Sequence, residues 1–341
     1  MKLSLLDRSR TRAGRPDAEG LTGSVERAVR AESLGYGRFW VAEHHAVPGI
    51  ASGAPAVLLA AVGTRTQHIR IGSGGVMLPH HQPLIVAEQF LTLEALFPGR
   101  VDLGLGRSPG FTPPVREALR RAPEGTDAFE SDLVELRGFL DGTQSVTARP
   151  RIDSVVPMYV LATGRGTTIA ARLGLPVVIG GPGLHDESLA EILATYRREF
   201  RPSERSPQPD AQPDAQPDDQ PDDQPHVTIS LDVTVADTDE AARDLALPEA
   251  WAMAKSRRTG EFSPLESVRD IRSVAWPDQL RTRIEHSLDS AVAGSPDTVR
   301  RLLDELVSRT GADELLASTS TYDRDELFGS DAALRDLVLG G

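Results

Sequence analysis

The sequence predicts an α/β protein built as a single (β/α)8 barrel, and three features carry that prediction. Short apolar runs alternate with longer amphipathic stretches from the N-terminus onward. The short runs are apolar almost continuously rather than at every second residue, as strands buried on both faces of a parallel sheet are. Polar and glycine-rich clusters follow these runs, at the strand ends where such a barrel carries its chemistry. The length of 341 residues suits one barrel of about 250 residues with an insertion. A doubly wound sheet fits less well. Its first strand normally enters a glycine-rich turn, whereas here the first run is followed by DRSRTRAG.

Taken in order, residues 2–6 read as the first strand and 22–34 as a helix with Val25, Ala28, Val29 and Ala31 on one side, stopped at Gly35. Strands at 39–42, 69–73 and 101–105 alternate with helices at 55–64 and 84–96. Helical stretches at 116–121 and 129–140 lead to a strand at 158–162, a helix at 167–173, a strand at 177–179 and a helix at 187–200. The repeat QPDA-QPDA-QPDD-QPDD-QP then fills 208–225. Proline at every fourth position removes backbone donors and the aspartates repel one another, so a disordered, solvated loop is expected. It joins a helix to a strand, which in a barrel puts it on the face away from the chemistry. A strand at 227–235, the start of a helix at 239–246, a helix at 296–310 and an eighth strand at 314–318 complete the barrel. The chain is thus read as one domain, 1–341, with 203–225 as a low-complexity insertion. Residues 236–293, after the seventh strand, read as one long excursion of mixed pattern before the next helix.

Composition narrows the chemistry. The absence of cysteine removes disulfides, thiolate metal sites and a cysteine nucleophile. Lysine occurs only at Lys2 and Lys255, which leaves Schiff-base chemistry almost no candidate. The net charge of −13 argues against nucleic acid or an anionic membrane as partner. Its start, MKLSLLDRSR, lacks the apolar core of a signal peptide, so a cytoplasmic location is expected.

The clusters after the strands supply the candidate residues. Glu43-His44-His45 follows the second strand; Gly72-Ser73-Gly74-Gly75 and then Pro79-His80-His81 follow the third. Thr163, Gly164, Arg165, Gly166, Thr167 and Thr168 follow the fifth, where the next helix offers unpaired N–H groups and a positive dipole end. Glycines let a ligand approach, and the hydroxyls and Arg165 suit a phosphate. Arg107, after the fourth strand, reads as a clamp for a phosphate or a substrate. Residues 106–110 also spell Gly-x-Ser-x-Gly, but Pro109 has no N–H to complete an oxyanion hole, so a serine hydrolase is rejected. Adjacent histidines on a strand point to opposite faces, so neither His-His pair is read as a metal site. A single histidine acting as acid, base or hydrogen-bond donor is preferred.

At these residues the sequence resembles the bacterial luciferase-like flavin monooxygenases. The resemblance runs through VAEHH (41–45), IGSGGVMLPHHQPL (71–84), VAEQFLTLEALFPGRVDLGLGR (86–107) and ARLGLP (171–176). DELLASTSTYD (313–323) is similar to the branch holding tailoring oxygenases of antibiotic biosynthesis. The resemblance implies a TIM barrel that binds reduced FMN from a separate, transiently docked reductase. With dioxygen it would oxidise a small organic substrate, in an enzyme that is commonly a homodimer. It makes His44 the catalytic histidine and Arg107 and Thr163 phosphate contacts, with Gly164, Arg165, Gly166 and Thr167 beside them. Ser73, Gly74, Gly75 and Glu43 would lie around the flavin ring, with a non-prolyl cis peptide at Gly74-Gly75. Residues 236–293 would form a variable lid over the site. Departures from luciferase itself are Pro113 where it has the aspartate partner of the histidine, Gly106 for its cysteine, and Ala162 and Thr163 for its glutamate and serine. Asp127 and Glu130 are acids that could replace that partner. Two rivals stay open: a dehydrogenase of the same fold using the deazaflavin coenzyme, and a non-catalytic partner subunit.

Overall fold

The computed structural model describes residues 1–108, 112–120, 128–202 and 224–340. The chain runs β1 (Lys2–Asp7), α1 (Ala18–Leu34), β2 (Arg38–Val41), α2 (Pro55–Gly63), β3 (Arg70–Met77), α3 (Pro83–Leu96) and β4 (Val101–Gly106). It continues through α4 (Pro113–Ala118), α5 (Phe129–Leu140), β5 (Met158–Ala162), α6 (Arg165–Leu173), β6 (Val177–Gly180), α7 (Leu189–Glu199) and β7 (Val227–Leu231). After β8 (Val233–Val235) come α8 (Asp239–Thr259), α9 (Val268–Ser273), α10 (Asp278–Asp289), β9 (Val292–Gly294), α11 (Pro296–Thr310), β10 (Glu314–Ala317) and α12 (Arg324–Leu339). Strands β1 to β7 and β10 close a barrel in chain order, with β10 returning to β1. The chain divides into two compact units, residues 1–54 with 230–341, and residues 55–229.

In the first unit β1 pairs in parallel with β10 and with β2, setting Leu3 opposite Leu315 and Leu5 opposite Phe39. These side chains are buried, which explains why their runs are apolar without alternation. Asp7, at the end of β1, is held by Arg27 of α1 (3.1 Å), which also grips Asp331 of α12 through two bonds of 2.8 Å. The parallel strands β8 and β9 form a separate small sheet. Helices α8, α9 and α10 share an apolar core of their own, including Leu247, Trp251, Ile271, Leu280 and Ile284.

In the second unit β3, β4, β5 and β6 run side by side in parallel. The Pro98-Gly99-Arg100 turn before β4 is fixed from both sides. Glu94 accepts from the N–H groups of Gly99 (2.6 Å) and Val101 (3.3 Å), and Arg100 donates to the Ile69 and Thr66 carbonyls, each at 3.0 Å. Much of the motif shared with the resembling family is therefore scaffold. The β3–β4 register shifts between Ser73 and Val76, and the Gly74-Gly75 peptide there is cis. Glycine is required opposite it as well. A Cβ on Gly104 would run into the Ser73 carbonyl oxygen, and one on Gly75 would lie 2.8 Å from the Gly104 carbonyl oxygen.

The structure departs from the sequence reading at several elements. Gly72–Gly75 lie inside β3 rather than after it, because the strand runs on to Met77. The expected strand at 227–235 is two strands that break at Asp232. Val227, Ile229, Leu231, Val233 and Val235 keep a two-residue apolar period through the break, so hydrophobicity alone does not reveal it. Asp232 is held there by Arg8 at 2.5 Å and Ser318 at 2.7 Å. The helix α12 went unassigned although its signal is present: Asp323 caps the N–H groups of Asp325 (2.9 Å) and Glu326 (3.2 Å). The repeat at 208–225 falls almost wholly on 203–223, outside the described residues. No helix among the described residues is long and apolar enough to cross a membrane.

Candidate active site

In the second unit, adjacent strand ends bring the expected phosphate contacts to one edge. Gly106 is level with Met77, and Leu105 with Val160, so Arg107 and Thr163 emerge just beyond the ends of β4 and β5. Arg107, Thr163 and Arg165 are exposed. Gly164 adopts φ 50°, ψ −110°, and a Cβ there would meet nothing within 4 Å. The backbone shape needs glycine and the space above it is open. Thr167 and Gly166 build this turn rather than face outward: the Thr167 hydroxyl donates to the Gly164 carbonyl (2.7 Å), and Gly166 packs against Ala162. Gly183, in the turn after β6, has room for no more than contact with the Thr163 methyl, 3.4 Å from where its Cβ would be. The donors at this edge are the exposed Arg107 and Arg165 guanidiniums and the Thr163 hydroxyl, which suit a phosphate monoester, while the Gly166 and Thr167 N–H groups turn back onto the Thr163 and Gly164 carbonyls (3.1 Å each).

The third-strand residues are more deeply set. Ser73 is fully buried and its hydroxyl donates to the Gly104 carbonyl at 2.8 Å, so it ties β3 to β4. Gly74 and Gly75 are buried alongside it.

In the first unit, Glu43 and His44 follow β2 in a loop closed by two bonds: the His44 N–H donates to the Ser52 carbonyl (2.9 Å), and the Ser52 hydroxyl to the Ala42 carbonyl (2.6 Å). Glu43 is buried, with its carboxylate 2.6 Å from Nε2 of His45. Two arginines from the segment after β1 bear on His44. Arg8 reaches Asp232 and the Ser318 carbonyl (2.6 Å), while Arg10 reaches Glu249 of α8 (3.0 Å) and the Gly49 carbonyl (2.6 Å). Backbone bonds extend the stitching: Ala51 N–H to the Ser9 carbonyl, 3.0 Å, and Gly49 N–H to the Phe262 carbonyl, 2.8 Å. The loop of His44 is thereby joined both to the segment after β1 and to Phe262.

Burial first, and then the charges of Arg8 and Arg10, push the His44 imidazole down to about 4. At pH 7 the ring is neutral, able to donate a hydrogen bond or accept a proton, and it is not a standing imidazolium acid. Because the folded state disfavours protonation, the stability this provides is complete above about pH 6.5 and is lost as pH falls towards 4. The expected size is about 3 kcal/mol. Denaturant midpoints of wild type and H44Q should therefore converge or cross between pH 7 and pH 4. A difference that stays constant over that range would contradict a neutral, buried ring.

Arg8, Arg10 and Glu249 were missed as site residues. DRSRTRAG was read only for the glycines it lacks, although polar side chains directly after a strand were the signal used everywhere else. Of the acids that could partner His44, Glu130 pairs instead with Arg172 at 2.6 Å, and Asp127 lies outside the described residues. Pro109 and Gly110 of the Gly-x-Ser-x-Gly match also lie outside them; α4 begins at Pro113, whereas a nucleophile elbow enters its helix at once.

Comparison with known proteins identifies the family. The profile of the luciferase-like monooxygenase family matches residues 1–314. A luciferase-like monooxygenase of Escherichia coli (strain K12) is 33% identical over 325 residues, 94% of this chain and 92% of that protein. The crystal structure of apo-MsnO8 superposes with a TM-score of 0.83 at 32% identity, covering 98% of both chains. The oxygenating constituent of 3,6-diketocamphane monooxygenase from Pseudomonas putida, solved with FMN, shares the fold (TM-score 0.73, 20% identity, 99% of this chain and 98% of that one). With a closed barrel, a profile match over nine-tenths of its length and a relative 33% identical across most of both chains, the chain belongs to the luciferase-like monooxygenase family.

Proposed function

We propose that the protein is a flavin-dependent monooxygenase that takes reduced FMN from a separate reductase and uses dioxygen to oxidise a small organic substrate. The observation that carries this reading is the donor set at the ends of β4 and β5. Arg107 and the Thr163 hydroxyl, at the positive end of α6, would hold the flavin's phosphate, and the open space at Gly164 leaves room for it. When bound, reduced flavin supplies the electrons for oxygen activation. The protein's own part is to bind, orient and keep water out. In that division His44, a neutral ring held by a closed loop, donates a hydrogen bond or takes a proton during oxygen transfer.

The chain is read as a homodimer. Helices α2 (PAVLLAAVG) and α3 (PLIVAEQFLTLEAL) are apolar beyond the face they bury, leaving Val57 72%, Ile85 45% and Leu96 61% exposed. A monomer mass by light scattering at micromolar concentration would remove that element.

An oxygen electrode separates the proposal from its rivals. With reduced FMN and a substrate, dioxygen uptake should match product formed, and the deazaflavin coenzyme should support nothing. Hydride transfer to or from the deazaflavin without air would overturn the reading in favour of a dehydrogenase. Failure to bind either cofactor would favour a non-catalytic subunit.

A further inference from the structure

Within the first unit, where β1 and β10 end, a crevice of about 40 Å3 opens beside α1 and α12. A water needs about 10–15 Å3 of such room, so the space takes a group the size of about three waters. Its lining is rich in donors. Five arginines contribute, among them Arg12 and Arg324, together with the buried residues Ser320 and Thr321. Asp7 is the carboxylate in the lining, and both of its oxygens are occupied: one by the Ser9 N–H (2.7 Å) and Ser24 hydroxyl (2.6 Å), the other by Arg27 (3.1 Å).

Of the three partly exposed guanidiniums, Arg8 is engaged by Asp232 and the Ser318 carbonyl, while Arg12 and Arg324 keep donors to spare. Arg12 bonds Glu19 at 2.6 Å and the Tyr322 carbonyl at 3.3 Å. Arg324 donates to the Glu19 carbonyl, and its carboxylate partner Glu26 stands off at 3.9 Å. Each guanidinium has five N–H groups, so these contacts leave several unused. Burial first, and then the neighbouring Arg12 charge, pull Arg324 below its usual value against the opposing pull of Asp7, Glu26 and Glu19. The Ser320 hydroxyl receives only a long 3.5 Å contact from Arg8 among the described residues.

We infer that this crevice binds a small oxyanion, a carboxylate or a phosphate, between Arg12 and Arg324 with the Ser320 and Thr321 hydroxyls. It shares no residue with the group proposed for the flavin phosphate and does not rest on that reading. A carboxylate would come from an acidic organic substrate, and a phosphate from the free inorganic ion or a phosphorylated one.

Calorimetric titration of the full chain with sodium phosphate, and separately with sodium acetate, tests it at an ionic strength held constant with sodium chloride. All titrations use the R107A chain, in which phosphate binding at the group proposed for the flavin is weakened. One saturable site is expected for at least one anion, and whichever binds tighter names the source. R324Q should weaken it at least about tenfold. G23A offers an independent variant. A Cβ on Gly23 would occupy the place of the Arg324 guanidinium and displace it, without removing its charge or harming a helical position. Loss of binding in G23A, with folding intact, supports the site. No saturation by either anion above the chloride control, or unchanged affinity in both R324Q and G23A, overturns it.

Discussion

Exchanging His44 for alanine should lower kcat by about 10²- to 10⁴-fold while leaving the affinity for reduced FMN within about threefold. The split follows from placement. The residues proposed to hold the flavin phosphate belong to the ends of β4 and β5, and His44 belongs to the loop after β2. The imidazole is kept neutral by burial and by two arginines, so its contribution is a fixed donor or acceptor that water supplies poorly in a closed site. H44Q, which keeps an N–H donor but cannot exchange a proton near neutrality, should recover part of the loss if donation is the larger role. Thermal melts of both variants guard against a folding artefact. Turnover within threefold of wild type in H44A would remove His44 from the chemistry.

The largest stability effect is expected from Arg27→Met. Arg27 is 2% exposed, and it joins Asp7 (3.1 Å), both oxygens of Asp331 (2.8 Å each) and the Thr319 carbonyl (3.0 Å). Methionine keeps the stem and leaves two buried carboxylates without their cation, which costs about 3–5 kcal/mol. Burial already raises the Asp331 carboxyl against the pull of Arg27. Without Arg27 the Asp331 carboxyl should take up a proton more readily still, so the loss should be greatest above neutrality and smaller in mild acid. Adding D331N should restore part of the stability, since the second unpaired charge is gone. A loss below about 1 kcal/mol at pH 7, by chemical denaturation, would mean the network is better solvated than its burial indicates.

The same network shows what could and could not be read from the sequence. Strands such as 158–162 and 177–179 were legible because burial on both faces leaves a continuous apolar run. His44, Arg107 and Thr163 were legible because polar residues directly after such runs lie at the strand ends. Arg27 and Asp331 were not, since they are 304 residues apart and each reads alone as a charged residue on a helix. The break at Asp232 was hidden by an apolar period that continues unaltered across it. Inside the site, the roles of Thr167 and Ser73 depend on which carbonyl each hydroxyl finds, 2.7 Å and 2.8 Å away, and residue type does not encode that. Arg8 and Arg10 were in plain view, but their bearing on His44 comes from folding the segment after β1 against the loop after β2.

Reduced FMN and reduced riboflavin differ by the phosphate alone, so their relative affinity tests the central claim most directly. Anaerobic titration, followed by flavin absorbance, should show wild type binding reduced FMN about 100-fold more tightly than reduced riboflavin. In R107A that ratio should fall to about tenfold or less, with riboflavin binding little changed. Equal affinity for the two flavins in wild type, or a preference that R107A leaves intact, would contradict a phosphate held at the ends of β4 and β5.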